Sequence, residues 1–299
     1  MNTAGVETVI RAEGLVKTFG RTRALDGLDL EVSAGEVHGF LGPNGAGKST
    51  TIRVLLGMLR AEGRASVLGH DPWRDAVAVH RRTAAVPGDV VLWPNLSGGE
   101  TIDLLAGLRG GADPDLRRRL LDDFRLDPRT RVRAYSKGNR QKVALVAAFC
   151  RRADLYVLDE PTSGLDPVME DVFREEVRRV RGEGAAVLLS SHILDEVEQL
   201  CDRVTIVRAG RAVERGTLDE LRRLTRTRYR VAADIPPERL AAVDGVHDVG
   251  SVDGRLVFDV DGEAVPAVLR VLTDARVGAL TAEPPSLEEL FLRQYGAER

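Results

Sequence analysis

The sequence predicts an α/β fold built on a parallel sheet, broken by a mainly helical insertion and followed by a small C-terminal α+β domain of ferredoxin-like type. Three stretches carry that expectation. Residues 42–50, Gly-Pro-Asn-Gly-Ala-Gly-Lys-Ser-Thr, match G-x-x-x-x-G-K-[ST] between an apolar run and a helical pattern. Residues 155–159, Leu-Tyr-Val-Leu-Asp, form a continuous apolar run ending in a carboxylate, the pattern of a buried parallel strand that delivers its last residue to a crevice. Residues 228–282 alternate as strand, helix, strand, strand, helix, strand, the order of a ferredoxin-like plait.

Composition bounds the function. The 299 residues are 43% hydrophobic and 30% charged, enough for one large domain and a small one. A net charge of -3 and a pI near 6.0 argue against a polyanion-binding surface, since nucleic-acid binders carry a marked basic excess. Arg117-Arg118-Arg119 and Arg222-Arg223 therefore read as solvated helix faces, and no nucleic-acid partner is expected. Cys150 and Cys201 lie in apolar or helical segments without C-x-x-C spacing, so they read as reduced core thiols of a cytoplasmic protein. No signal-peptide pattern precedes the first strand. Val143–Cys150 and Ala185–Leu189 fall far short of the roughly 18 apolar residues that span a bilayer.

In chain order, Thr8–Ala12, Leu28–Val32 and Val37–Leu41 read as short strands punctuated by Gly20, Gly27 and Gly35. A helix with Ile52, Leu55, Leu56 and Leu59 on one face follows the glycine-rich loop. Ala65–Leu68 and Ala84–Val86 are further strands, the second stopping at Pro87-Gly88. Leu104, Leu105 and Leu108, then Leu116, Leu120, Leu121 and Phe124, recur at helical spacing, which makes residues 97–150 mainly helical and ends them in a helix from about Asn139 to Arg151. Helix Val168–Arg181, strand Ala185–Leu189, strands Thr205–Val207 and Ala212–Glu214 and helix Leu218–Leu224 complete the large domain. Its alternation implies a parallel sheet with helices on its faces. A polar linker near 225–227 leads into the plait, whose Asp253-Gly254 turn joins strands 246–252 and 255–260. A last helix begins at Ser286, with Glu289 closing a capping box and Leu287, Leu290 and Phe291 buried.

The loop at 42–50 is a P-loop nucleotide site. Gly42, Gly45 and Gly47 let successive backbone N–H groups turn inward around an anion. Lys48 reaches the β- and γ-phosphates, the Ser49 hydroxyl binds Mg²⁺, and the helix starting near Lys48 points its positive end at the phosphates.

Taken together the motifs resemble the nucleotide-binding subunit of an ABC transporter over residues 8 to about 224. The implied fold is a P-loop NTPase ABC cassette, residues 1–224, with its helical subdomain at about 89–151, and residues 225–299 as an accessory domain. Gly42, Pro43, Asn44, Gly45, Ala46, Gly47, Lys48, Ser49 and Thr50 correspond to Walker A and Leu155–Asp159 to Walker B. Glu160 stands at the catalytic glutamate, Ser163–Asp166 at the D-loop, and His192 at the switch histidine. Tyr135–Gln141 corresponds to the L-S-G-G-Q signature. The resemblance implies a Mg-dependent ATPase in which Lys48, Glu160 and His192 are catalytic. Glu160 orients or deprotonates the attacking water, and Ser49 and Asp159 hold Mg²⁺. It also implies that Ser136, Gly138, Asn139 and Asp166 close over ATP bound to a second copy, giving a homodimer with two ATP at its interface.

Three departures stand out. The signature has Lys137 for its first glycine and Asn139 for its glutamine. Phe19 replaces the usual tyrosine as adenine platform and still offers a ring to stack. Gly88 and Asp89 occupy the Q-loop position, where Asp89 is either an oxygen ligand to Mg²⁺ or a surface turn. Leu96-Ser97-Gly98-Gly99-Glu100 looks closer to the signature than the true candidate does, but lies far upstream; Ser97 reads as a helix N-cap with Glu100 closing a capping box.

Within the family the chain looks like a multidrug or antibiotic-resistance exporter ATPase, acting peripherally on the cytoplasmic face of the membrane. Its implied partner is a separate integral membrane permease, whose coupling helix would meet residues around Val90–Leu96. An importer ATPase and a soluble ABC protein acting on ribosomes or DNA are the competing readings.

Overall fold

The computed structural model describes residues 7–191, 193–223, 226–273 and 275–283. The chain forms two compact units, Met1–Arg215 and Gly216–Arg299. The boundary precedes the helix Leu218–Arg223, which therefore falls in the second unit and not, as its place in the sequence suggests, in the large domain.

The first unit starts with β1 (Thr8–Phe19) and β2 (Thr22–Ser33), an antiparallel hairpin much longer than the short strands expected. Gly14, beyond the Ala12 end expected for the first strand, does not stop β1. It sits where the register of the hairpin shifts, and its N–H donates to Asp29 Oδ1 at 2.7 Å, so the ladder resumes beyond it. Then come β3 (Val37–Leu41), α1 (Lys48–Leu55), β4 (Glu62–Val67), α2 (Ala76–Arg82) and β5 (Thr83–Val86). Helix α2 went unread because it is short and buries only Val79. The insertion contributes α3 (Gly98–Gly107), α4 (Pro114–Asp123) and α5 (Lys137–Phe149). After it follow β6 (Leu155–Asp159), α6 (Pro167–Gly182), β7 (Ala186–Ser191), α7 (Leu194–Leu200), β8 (Arg203–Arg208) and β9 (Arg211–Thr217).

These strands build two sheets. One is antiparallel, in the order β2-β1-β4; the other has six strands in the order β5-β6-β7-β3-β8-β9. From β5 to β8 every pairing in the second sheet is parallel, with Leu41 opposite Ser191 and Asp159 opposite Ser190. Its central strands are buried on both faces, which explains their unbroken apolar runs.

In the insertion the helices are those expected, but their buried faces differ. Ile102 and Ala106 are buried, whereas Leu104 and Leu108 are 43% and 72% exposed. Helix α4 is tied to α6 by Arg119, which donates to both oxygens of the buried Glu176 at 2.6 and 3.1 Å, while Arg179 donates to the same carboxylate at 2.8 Å. Arg117 and Arg118 likewise pair with Asp103 and Asp115, so this basic run is neutralised locally.

The second unit contains α8 (Leu218–Arg223), β10 (Thr227–Ala233), α9 (Pro237–Ala241), β11 (Val246–Val252), β12 (Arg255–Val260), α10 (Val265–Thr273) and β13 (Val277–Glu283). Its sheet is antiparallel in the order β11-β12-β10-β13, the ferredoxin-like arrangement read from the element order. Asp253 and Gly254 both take positive φ, as the two-residue hairpin requires. Tyr229 and Phe258 stack across the sheet, 5.7 Å between ring centroids. The helix expected from Ser286 lies outside the described residues.

The upstream near-match to the signature is a helix cap. Ser97 accepts the Glu100 N–H at 3.2 Å and the Glu100 carboxylate accepts the Ser97 N–H at 2.7 Å. Ser97→Ala should therefore lower stability by about 1 kcal/mol in urea unfolding and leave ATP affinity at the parent value.

Candidate active site

The parallel register sets the site. β3, β6 and β7 run side by side in the same direction, so the loop at 42–50, Asp159–Glu160 and Ser190–Ser191 all emerge at one edge of the sheet. Helix α1 begins at Lys48 with Gly47 as its N-cap, which turns the first helical N–H groups toward the loop. Gly47 has φ 110°, and an added Cβ would stand 2.7 Å from the Ala24 carbonyl oxygen, so only glycine fits there. Gly210, in the turn between β8 and β9, braces the loop from behind by donating its N–H to the Ala46 oxygen at 2.9 Å.

Lys48 is buried. Its ammonium donates to the Gly42 and Pro43 carbonyl oxygens at 2.5 and 3.3 Å. Burial pushes its pKa down from the ordinary lysine value, and the nearby Glu160 and Asp159 charges partly oppose that shift. A phosphate chain would meet the same need for negative charge.

Asp159 is also buried, and Ser190 Oγ donates to its Oδ1. Glu160 follows at φ 48°, unusual for a residue with a Cβ. Its N–H is fixed by the Ser190 carbonyl oxygen at 3.0 Å, which holds the half-buried side chain beside the loop. Ser190 was missed in the sequence. It ends the apolar run of β7 in a polar residue, the same signal that marked Asp159.

Two cavities meet here. One, about 300 Å³, is lined by Phe19, Arg23, the residues of the glycine-rich loop and Glu160. Phe19 closes β1, is 48% exposed, and has the Lys17 ammonium 5.5 Å from its ring centroid. The other, about 470 Å³, brings together Ser49, Gly88, Asp89, Asp159 and Glu160. Asp89 thus lies on the rim of the cavity that holds the two expected Mg²⁺ ligands. A Cβ at Gly88 would come within 3.3 Å of Asp159 Oδ2, so the chain passes tight against that carboxylate.

Ser136 caps α5, accepting the Asn139 N–H at 3.2 Å. This end of α5 is docked on the loop after β6. A Cβ at Gly138 would lie 2.4 Å from the Gly164 oxygen, Lys137 Nζ donates to Ser163 Oγ at 2.8 Å, and the buried Gln141 donates to the Pro161 oxygen at 2.8 Å. Asp166 is committed as the N-cap of α6, accepting the Met169 N–H at 3.1 Å. Ser136, Gly138, Asn139 and Asp166 do not line the two cavities around the glycine-rich loop. His192 lies outside the described residues.

A glycine-rich loop on a parallel strand, a buried lysine and a carboxylate pair at the neighbouring strand end define a P-loop ATPase site. The comparisons with known proteins narrow the class. Residues 25–163 match the ABC transporter family, and residues 216–295 match the family described as ATP-binding protein DrrA1-3-like, C-terminal domain. The daunorubicin resistance ATP-binding protein DrrA3 of Streptomyces coeruleorubidus is 38% identical over 308 residues, covering 98% of both chains. The Nod factor export ATP-binding protein I of Ralstonia nicotianae is 30% identical over 307 residues, covering 98% of this chain and 96% of its own. Among solved structures, the ATP-binding subunit of an ABC transporter superposes with a TM-score of 0.68 at 33% identity, covering 73% of this chain and 93% of its own. The chain belongs to the ATP-binding proteins of ABC transporters.

The depressed Lys48 pKa fixes a direction for pH dependence. As pH rises through that value the ammonium is lost, so ATP affinity should fall at a lower pH than an ordinary lysine, near 10.4, would dictate. Fluorescent-nucleotide titrations across alkaline pH read this directly, and a binding curve flat up to the ordinary lysine range would refute it.

Proposed function

We propose that the chain is the ATP-hydrolysing subunit of an exporter and works as a homodimer on the cytoplasmic face of the membrane. It drives a separate integral membrane permease that releases a drug, antibiotic or lipid-like compound. The observation that carries this reading is the shared strand edge, where Lys48, Ser49, Asp159 and Glu160 surround adjoining cavities.

ATP would enter with its adenine against Phe19 and its phosphates along residues 42–50. Lys48 exchanges the Gly42 and Pro43 oxygens for phosphate oxygens and neutralises charge as the transferring group loosens. Glu160 takes a proton from a water in line with the γ-phosphorus; a P–O bond forms to that water, and the bond to the β-γ bridging oxygen breaks, releasing ADP and phosphate. His192 senses the γ-phosphate. The Ser49 hydroxyl and Asp159 carboxylate form a hard-oxygen pair that would hold Mg²⁺, with Asp89 on the same rim. When bound, Mg²⁺ supplies further charge neutralisation.

Ser136, Gly138, Asn139 and Asp166 sit away from their own chain's phosphate loop, as groups that complete a second copy's site would. The permease reading is supported by an apolar groove of about 260 Å³ between the insertion and the sheet, where Met58, Val91, Trp93 and Leu108 are exposed. Among the described residues no helix is long and apolar enough to cross a membrane.

Glu160→Gln should keep ATP affinity near the parent value and lower hydrolysis by about 10²- to 10⁴-fold, read as phosphate release. Hydrolysis at the parent rate would remove Glu160 from the proton-accepting role.

A further inference from the structure

A second groove in the first unit is built quite differently from the apolar one. It has a volume of about 620 Å³ and lies along β4, the outer strand of the antiparallel sheet, with the segments 59–61 and 71–74 as its other walls. Arg11, Arg60, Arg64 and Arg74 line it together with Trp73; Glu13 and Asp71 are its acidic members. Arg11 is held by Glu31 at 3.2 Å and Arg74 faces Asp71 at 3.6 Å, both pairs exposed and therefore weak. Among the described residues neither Arg60 nor Arg64 has a carboxylate partner within ion-pair distance. The Arg60 guanidinium lies 4.8 Å from the centroid of the Trp73 ring, which is 44% exposed, so the stack is presented to solvent. A local excess of positive charge on a chain of net charge -3 marks a place for an anion.

The occupant follows from the neighbourhood. Leu59, Arg60 and Ala61 wall this groove, while Leu56 and Met58, one step earlier in the same turn, wall the apolar groove assigned to the permease. We propose that the arginine groove binds the phosphate headgroups of anionic lipids at the bilayer surface beside the permease. Arginine pairs phosphate oxygens through its planar fork, and the tryptophan ring is suited to the headgroup level, where one side is apolar and the other wet. The proposal rests on the exporter reading, since only a chain held against a bilayer meets lipid there.

The test uses the purified full chain, sedimented with phosphatidylglycerol or phosphatidylcholine vesicles at low salt. The parent protein should bind the anionic vesicles alone, and binding should weaken as salt rises. At roughly fivefold per basic side chain near an anionic surface, Arg60→Ala/Arg64→Ala should bind about 25-fold more weakly. Arg60→Lys/Arg64→Lys, which keeps the charge and loses the fork and the stack, should bind more weakly than the parent and more tightly than the double alanine variant, and Trp73→Ala should lose part of the affinity. ATP hydrolysis, measured on the same samples, should match the parent in all of these variants. Equal binding to both vesicle types, or an alanine variant that binds like the parent, overturns the proposal. So does displacement by inorganic phosphate at matched ionic strength, which would make the groove a site for the free anion. Failure of the parent chain to associate with any integral membrane protein would instead count against the exporter reading.

Discussion

Everything at the site depends on parallel strands ending in step. Because Leu41 lies opposite Ser191 and Asp159 opposite Ser190, the phosphate loop, the acidic pair and Ser190–Ser191 share one edge of the sheet without any long connection being held in place separately. A slip of one residue in β6 would turn Asp159 to the opposite face and remove it from the crevice. The register is protected by burial on both faces: every residue of β3, β6 and β7 is buried.

Charge is placed on this rigid edge at a cost that the ligand offsets. Lys48 is buried against backbone carbonyls, Asp159 is buried against a serine hydroxyl, and Glu160 holds a left-handed backbone. Each is tolerable alone because hydrogen bonds hold it, and together they leave a preorganised site. The docking of α5 onto the loop after β6 extends this rigidity to Ser136. Gly138 approaches the Gly164 carbonyl oxygen too closely for any side chain at 138, so the helix that carries Ser136 packs directly on the 161–166 loop.

The sequence was most legible where local chemistry and fold agree. The phosphate loop, the apolar strand ending in Asp159, the capping box at Ser97 and Glu100 and the whole βαββαβ order each have a signature within a few residues. The least legible features depend on partners distant in sequence. The length of the β1–β2 hairpin was hidden because Gly14 looks like a break until Asp29 is seen to receive its N–H. The exposure of Leu104 and Leu108 could not be read from spacing, since helical periodicity identifies a helix but does not say which neighbour covers it. Ser190 escaped notice, and Gln141 was read only as part of the signature segment, because their partners, the Asp159 carboxylate and the Pro161 oxygen, lie 31 and 20 residues away.

The central claim is that two copies close over nucleotide, each completing the other's site with residues around Ser136. Light scattering with a count of bound nucleotide, on Glu160→Gln protein in ATP and Mg²⁺, tests it most directly. The account predicts two chains and two ATP per particle, reverting to single chains when Ser136→Arg is added. A particle that stays monomeric in ATP, or a dimer indifferent to Ser136→Arg, would contradict it.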